Sequence, residues 1–155
     1  MNTIKVLIAN SEKEVRDGVA DTLSKDENLK IVATAADSKE LFALCNEHLP
    51  NVLIAHPKLL IAEDIAHLRK KHESLEHGEY YSLNIIAFAE DYSSADIKRL
   101  LEMDVVGYLL YDVTEEQTNM LASHVKAVDN LYCIVEPSVL HHMASMIAEK
   151  HDGKT

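Results

Sequence analysis

The chain predicts an α/β fold built on a parallel sheet with helices on both faces. Five short apolar runs alternate with five helical stretches, and the runs lack the polar alternation of a sheet that leaves one face in water. Ile4–Ala9 is too brief for a helix and rich in branched residues, so it is the first strand. Ser11 stands three residues before Glu14, a capping-box spacing, and Val15, Val19, Ala20 and Leu23 follow at helical intervals over about three turns. Residues 30–34 predict the second strand, and Asp37 to Glu40 opens a helix carrying Leu41, Leu44 and Cys45. Pro50 separates that helix from the third strand, Val52–Ala55. Leu60, Ile61, Ile65 and Leu68 are spaced for a helix over 59–72, which runs into a polar surface segment over 70–79. Residues 83–88 predict the fourth strand, 94–103 a helix, and 105–110 the fifth strand; Thr114 and Gln117 then cap a helix reaching about residue 128. An extended piece over 131–135 leads to Pro137 at the start of an extra helix carrying Val139, Leu140, Met143, Met146 and Ile147. Such alternation implies right-handed crossovers, which gather the loops after the strands along one edge, where a site is expected.

A chain of 155 residues with 47% hydrophobic content fits one ordinary domain. The formal charge of −11 repels phosphate backbones and anionic lipid surfaces alike, so neither nucleic acid nor membrane is an expected partner of this chain alone. Cys45 and Cys133 are the only cysteines and lie far apart in sequence, which indicates neither a disulfide framework nor a zinc cluster and fits a reducing, cytoplasmic setting. The N-terminus leads straight into a strand pattern without the form of a secretory signal, and no segment is long and apolar enough to span a bilayer.

Three phrases carry a resemblance: Ile4-Lys5-Val6-Leu7-Ile8 at the first strand, Pro50-Asn51-Val52-Leu53-Ile54 at the third, and Met103 through Leu110 around the fifth. In this order and spacing the chain resembles the receiver domain of bacterial response regulators, particularly the NarL-like group. The resemblance covers residues 3 to about 130, and the stretch from Leu131 to Leu140 resembles that group's connector to its output domain. It implies a CheY-like, flavodoxin-like sheet of five strands in the order 2-1-3-4-5 with an extra C-terminal helix. The division implied is a receiver-like domain over 1–130 and a connector with its helix over 131–155.

The resemblance also implies a chemistry, phosphoryl transfer to an aspartate after the third strand with magnesium held by an acidic pair after the first. In this chain the acidic pair falls on Asn10 and Ser11, and the acceptor on His56. The hydroxyl residue after the fourth strand falls on Ala89, and the lysine after the fifth on Tyr111. A histidine cannot form an acyl phosphate and is a poor magnesium ligand, so the expectation is a degenerate site. Asp91 and Asp112 lie close in sequence to two of these positions, but neither could supply the missing pair. Tyr108 falls on the family's switch aromatic position, although packing alone also explains a tyrosine there.

Other chemistries are disfavoured. His72-Glu73 with His77 has a spacing of five where a zinc protease motif needs four, and His141 and His142 are adjacent, so they point to different helix faces. None of the four glycines builds a phosphate-cradling loop. An enzyme using His56 is the weakest expectation, because Asn10, Ser11, His56 and Tyr111 contain no nucleophile, base and orienting group in sequence; a water or small ligand is the better occupant. No catalytic residue, metal or cofactor is therefore expected. The leading expectation is a pseudo-receiver that dimerises or docks on a protein partner through its sixth helix, or through the face of the fourth helix, fifth strand and fifth helix. The alternatives are the receiver part of a longer helix-turn-helix regulator, or of a pilus-assembly ATPase of the CpaE type.

Overall fold

In a computed structural model, the chain is described over residues 3–73, 83–111 and 115–152. Strands β1 (Ile4–Ala9), β2 (Leu29–Ala35), β3 (Val52–Ala55), β4 (Asn84–Ala89), β5 (Gly107–Leu110) and β6 (Ile134–Val135) form one sheet, β2-β1-β3-β4-β5-β6, with every pair parallel. The helices are α1 (Lys13–Ser24), α2 (Ser38–His48), α3 (Ala62–Glu73), α4 (Ser94–Glu102), α5 (Glu115–Asp129) and α6 (Pro137–Asp152).

The expected order of five strands is present, and a sixth is added at the β5 edge. Ile134 and Glu136 donate backbone N–H bonds to the carbonyls of Val106 and Tyr108, at 2.9 and 3.0 Å. Two core layers follow from the two-residue strand period. Leu7, Leu53, Ile85 and Tyr108 pack against Leu41, Ile65, Leu68, Ile97 and Leu100 of α2, α3 and α4, and Val139 of α6 joins them. Val6, Ile8, Ile54, Ile86 and Leu109 pack on the other face against Val19 and Leu23 of α1 and Leu121, Val125 and Val128 of α5. The sheet is buried on both sides, which is why its strands read as continuous apolar runs.

Local corrections to the sequence reading have identifiable causes. Ser11 is not a helix cap: it is exposed, and α1 begins at Lys13, with Glu12 at the cap position making no side-chain cap. The Asn10 side chain accepts the Glu12 N–H at 2.8 Å, and this local turn delays the helix. The helix expected over 59–72 starts only at Ala62, because Pro57–Leu59 forms a single 3-10 turn first. Arg99 on α4 pins that turn by donating to the Leu60 and Pro57 carbonyls, both at 2.6 Å. Leu60 is buried and Ile61 exposed, so only Ile65 and Leu68 of the four spaced residues anchor α3 in the core.

The helix start read at Asp37 is capped as expected, and α4 has a cap that the sequence reading did not single out. Asp37 accepts the Glu40 N–H while Glu40 accepts that of Ala36, and Ser93 and Asp96 form a reciprocal capping box at α4. The cap expected at Thr114, Asp112, and the polar segment with His77 and Gly78 lie outside the described residues.

Candidate functional site

The parallel register brings the ends of β1, β3, β4 and β5 to one edge. Ala9 pairs with Ala55, Ala55 with Ala87, and Ala89 with Leu110. The chain leaves these strands at Asn10, His56, Glu90 and Tyr111, and the backbone N–H groups of His56 and Tyr111 still bond to Ala9 and Ala89, at 3.0 and 3.1 Å. Asn10, His56, Ala89 and Tyr111 are therefore neighbours at one rim.

Each side chain there has a definite partner. Asn10 is 3% exposed, the one buried polar residue among those described. Its side chain holds the start of α1, and its carbonyl accepts from the Arg16 guanidinium at 2.7 Å. Ser11 faces solvent and Ala89 is buried. His56 Nδ1 accepts the Lys58 N–H at 3.1 Å, so a neutral ring carries its proton on Nε2, which faces Glu90 Oε2 at 3.5 Å. The other oxygen of Glu90 accepts the Tyr111 hydroxyl. The Tyr111 ring also stands edge-on to Phe88 with centroids 4.8 Å apart.

Glu90 therefore links the ends of β3, β4 and β5 through His56 and Tyr111. Sequence reasoning had not singled it out; its one signal was adjacency to Ala89. The Tyr111 hydrogen bond, then its own backbone N–H, holds the Glu90 carboxyl below the usual range, with His56 adding to the effect against a small opposing burial. Burial, then acceptance by Glu90, pushes the Tyr111 phenol up, with Asn10 working the other way. Charge thus sits on Glu90 and the proton on Tyr111.

A hard divalent cation does not fit these groups. Such an ion needs several oxygen ligands, preferably carboxylates. Here the Asn10 oxygen is committed to Glu12, Ser11 faces away into solvent, and the single carboxylate of the clasp is held by a phenol and an imidazole. Among the described residues no cluster of three or more His, Cys, Asp or Glu side chains could hold a metal.

Tyr108 is 2% exposed, packed edge-on to Tyr92 with centroids 6.2 Å apart, and its hydroxyl has no hydrogen-bond partner among the described residues. The Tyr92 hydroxyl, by contrast, donates to the Leu109 carbonyl at 2.7 Å. Elsewhere, His142 Nε2 lies 2.8 Å from the Ser94 hydroxyl while His141 is exposed, so the adjacent pair does point apart.

A parallel sheet in this order, with its polar rim beyond the ends of β1, β3, β4 and β5, is the CheY-like receiver fold. The solved structures it resembles include LuxR-family response regulators and the receiver domain of the NarL response regulator of Mycobacterium tuberculosis. The fold matches a LuxR-family two-component response regulator from Aurantimonas sp. SI85-9A1 at a TM-score of 0.75 and 19% identity, covering 95% of this chain and 99% of that one. It matches the isolated receiver domain of RcsB from Salmonella enterica serovar Typhimurium, solved with the phosphomimetic BeF3-, at a TM-score of 0.70 and 20% identity, covering 90% and 98%. In sequence the chain is 26% identical over 113 residues to the transcriptional regulatory protein LnrK of Bacillus subtilis, covering 73% of this chain and 49% of LnrK. It is 24% identical over 149 residues to the response regulator VraR of Staphylococcus aureus, covering 96% and 67%. The chain thus spans about half the length of LnrK and two thirds of VraR. No family model matches it.

Proposed function

We propose that this chain is a pseudo-receiver, a signalling domain that works by binding rather than by accepting a phosphoryl group. The observation that carries this reading is the make-up of the rim. Asn10 and Ser11 stand where the acidic pair would be, His56 at the acceptor, Ala89 at the hydroxyl and Tyr111 at the lysine, while Glu90 ties His56 to Tyr111 across the opening. A phosphoryl group placed there would meet the Glu90 carboxylate and find neither a metal pair nor a lysine. These positions are a degenerate site with no catalytic residue, metal or cofactor, and the domain is not an enzyme.

Output then depends on a protein partner or a second copy, in the cytoplasm, with receiver 1–130 and connector 131–155 as its parts. Leu140 and Ile147 support α6 as the docking surface, since they remain 56% and 65% exposed on one face of a helix whose Val139, Met143 and Met146 are turned to the core. A second reading, the receiver part of a longer DNA-binding regulator, is favoured by the share of LnrK and VraR that the chain leaves unmatched.

Incubation with magnesium and acetyl phosphate or beryllofluoride, followed by mass, backbone NMR and sedimentation, tests the proposal. It expects no adduct and no magnesium-dependent shift around Asn10, His56, Ala89 and Tyr111. A stable adduct would return the domain to the phosphorelay.

A further inference from the structure

Between α1 and α5, on the face of the sheet opposite α4, a groove of about 670 Å³ opens onto β5 and β6. That volume falls within the range of small-molecule sites, on the order of 300–1,000 Å³. Its apolar lining comes from Val15, Val19, Phe88, Leu109 and Leu121, most of which also belong to the core layer on that face. Among the described residues that line it, Glu14, Asp21 and Glu136 are charged, none is Lys or Arg, and His124 adds an imidazole.

Gly18 is a second and independent observation. It lies inside α1, where glycine costs about 1 kcal/mol relative to alanine. No close approach requires it, because a Cβ built there meets nothing within 4 Å. Gly18 lines the groove, so the missing side chain leaves space in the groove itself.

We infer that this groove binds a small amphiphilic cation, an apolar body carrying an ammonium or amidinium head. The apolar walls take the body, and the three carboxylates favour a positive head over a negative one. A second copy of this chain is a poor occupant, since it brings another net −11 to an acidic rim. The inference stands apart from the proposed function: among the described residues the groove shares only Tyr111 with the strand-end rim, and it makes no use of phosphoryl chemistry.

The test titrates the chain with phenylbutylamine, phenylbutanol and phenylbutyrate and follows methyl NMR shifts. The expected result is saturable binding of the amine, with shifts concentrated at Val15, Val19, Leu109 and Leu121. The amine should be preferred to the carboxylate by roughly three- to tenfold at low salt, a preference that shrinks as ionic strength rises. Gly18→Leu, which fills the space, should weaken amine binding by about tenfold or more, whereas Gly18→Ala should retain it; thermal melts show that both variants are folded. Glu14→Gln with Asp21→Asn should erase most of the charge preference without abolishing binding of the alcohol. Equal affinity for amine and carboxylate, full binding by folded Gly18→Leu, shifts centred elsewhere, or no saturable binding of the amine would each overturn the inference. So would a basic amphipathic peptide that fills the groove when the amine does not.

Discussion

Breaking the Glu90 clasp with Tyr111→Phe and Glu90→Gln, singly and together, measures how far the rim is tied shut. A hydrogen bond to a charged group contributes about 1.5–3 kcal/mol when well shielded. The Glu90 side chain is 56% exposed, so solvent screening brings the expected coupling down to about 0.5–1 kcal/mol. Tyr111→Phe keeps the edge-on contact with Phe88 and removes only the hydroxyl, which makes it the cleaner single change. In urea unfolding near neutral pH each single variant should lose about that amount, roughly 2–4 °C per kcal/mol for a domain of this size, and the double variant should lose less than the sum.

The pH dependence of that coupling has a definite sign. The folded Glu90 carboxyl lies below its unfolded value, which is about 4.3. Its contribution is complete above that value and fades as pH falls through the folded one, so the coupling measured at pH 7 should disappear in acid. Strict additivity at neutral pH, or coupling that persists after Glu90 is protonated, would refute the clasp.

Tyr108→Phe should leave stability unchanged or raise it by up to about 1–3 kcal/mol in the same urea assay, because it removes a buried hydroxyl that has no partner among the described residues. A marked loss would reveal a hydrogen bond at that hydroxyl. Gly107→Ala should destabilise by about 1–3 kcal/mol, since its Cβ would lie 2.8 Å from Ile86 Cγ1; combined with Ile86→Ala, itself costly at a fully buried position, the loss in thermal melts should be smaller than the sum of the two single losses. Alkylation of the native protein at neutral pH should label Cys133, which is exposed, and spare Cys45, whose thiol burial pushes up to about 12; unfolding should add the second label by mass.

Periodicity exposed the main elements because a sheet covered on both faces leaves continuous apolar runs, as in Val52–Ala55, where every residue is buried. It could not reveal that Ile134–Val135 joins the sheet. Two residues carry no usable pattern, and their pairing with Gly107 and Tyr108 is set in three dimensions. The start of α1 was misplaced for a related reason. Ser11 and Glu14 have capping-box spacing, but the Asn10 side chain binds the Glu12 N–H first. The rim positions could be located from strand ends, whereas Glu90 could not. An exposed acid after a strand looks solvated until the register sets it between His56 and Tyr111.

The added strand also changes what the Tyr108 position can do. In a five-stranded sheet β5 would be the edge, and an aromatic on it could reach a partner directly. Here Val135 pairs with Tyr108 and Val139 of α6 is only 3% exposed in the same core layer. Met143 and Met146 pack against that layer as well, and His142 contacts Ser94 at the start of α4. The chain's own tail therefore covers the ring, and a partner reaching Tyr108 from that side must first displace β6 and α6. The Tyr108 ring is packed by Tyr92 and this cover, which is why the proposed docking surface is the outer side of α6, where Leu140 and Ile147 are exposed, rather than the face of β5.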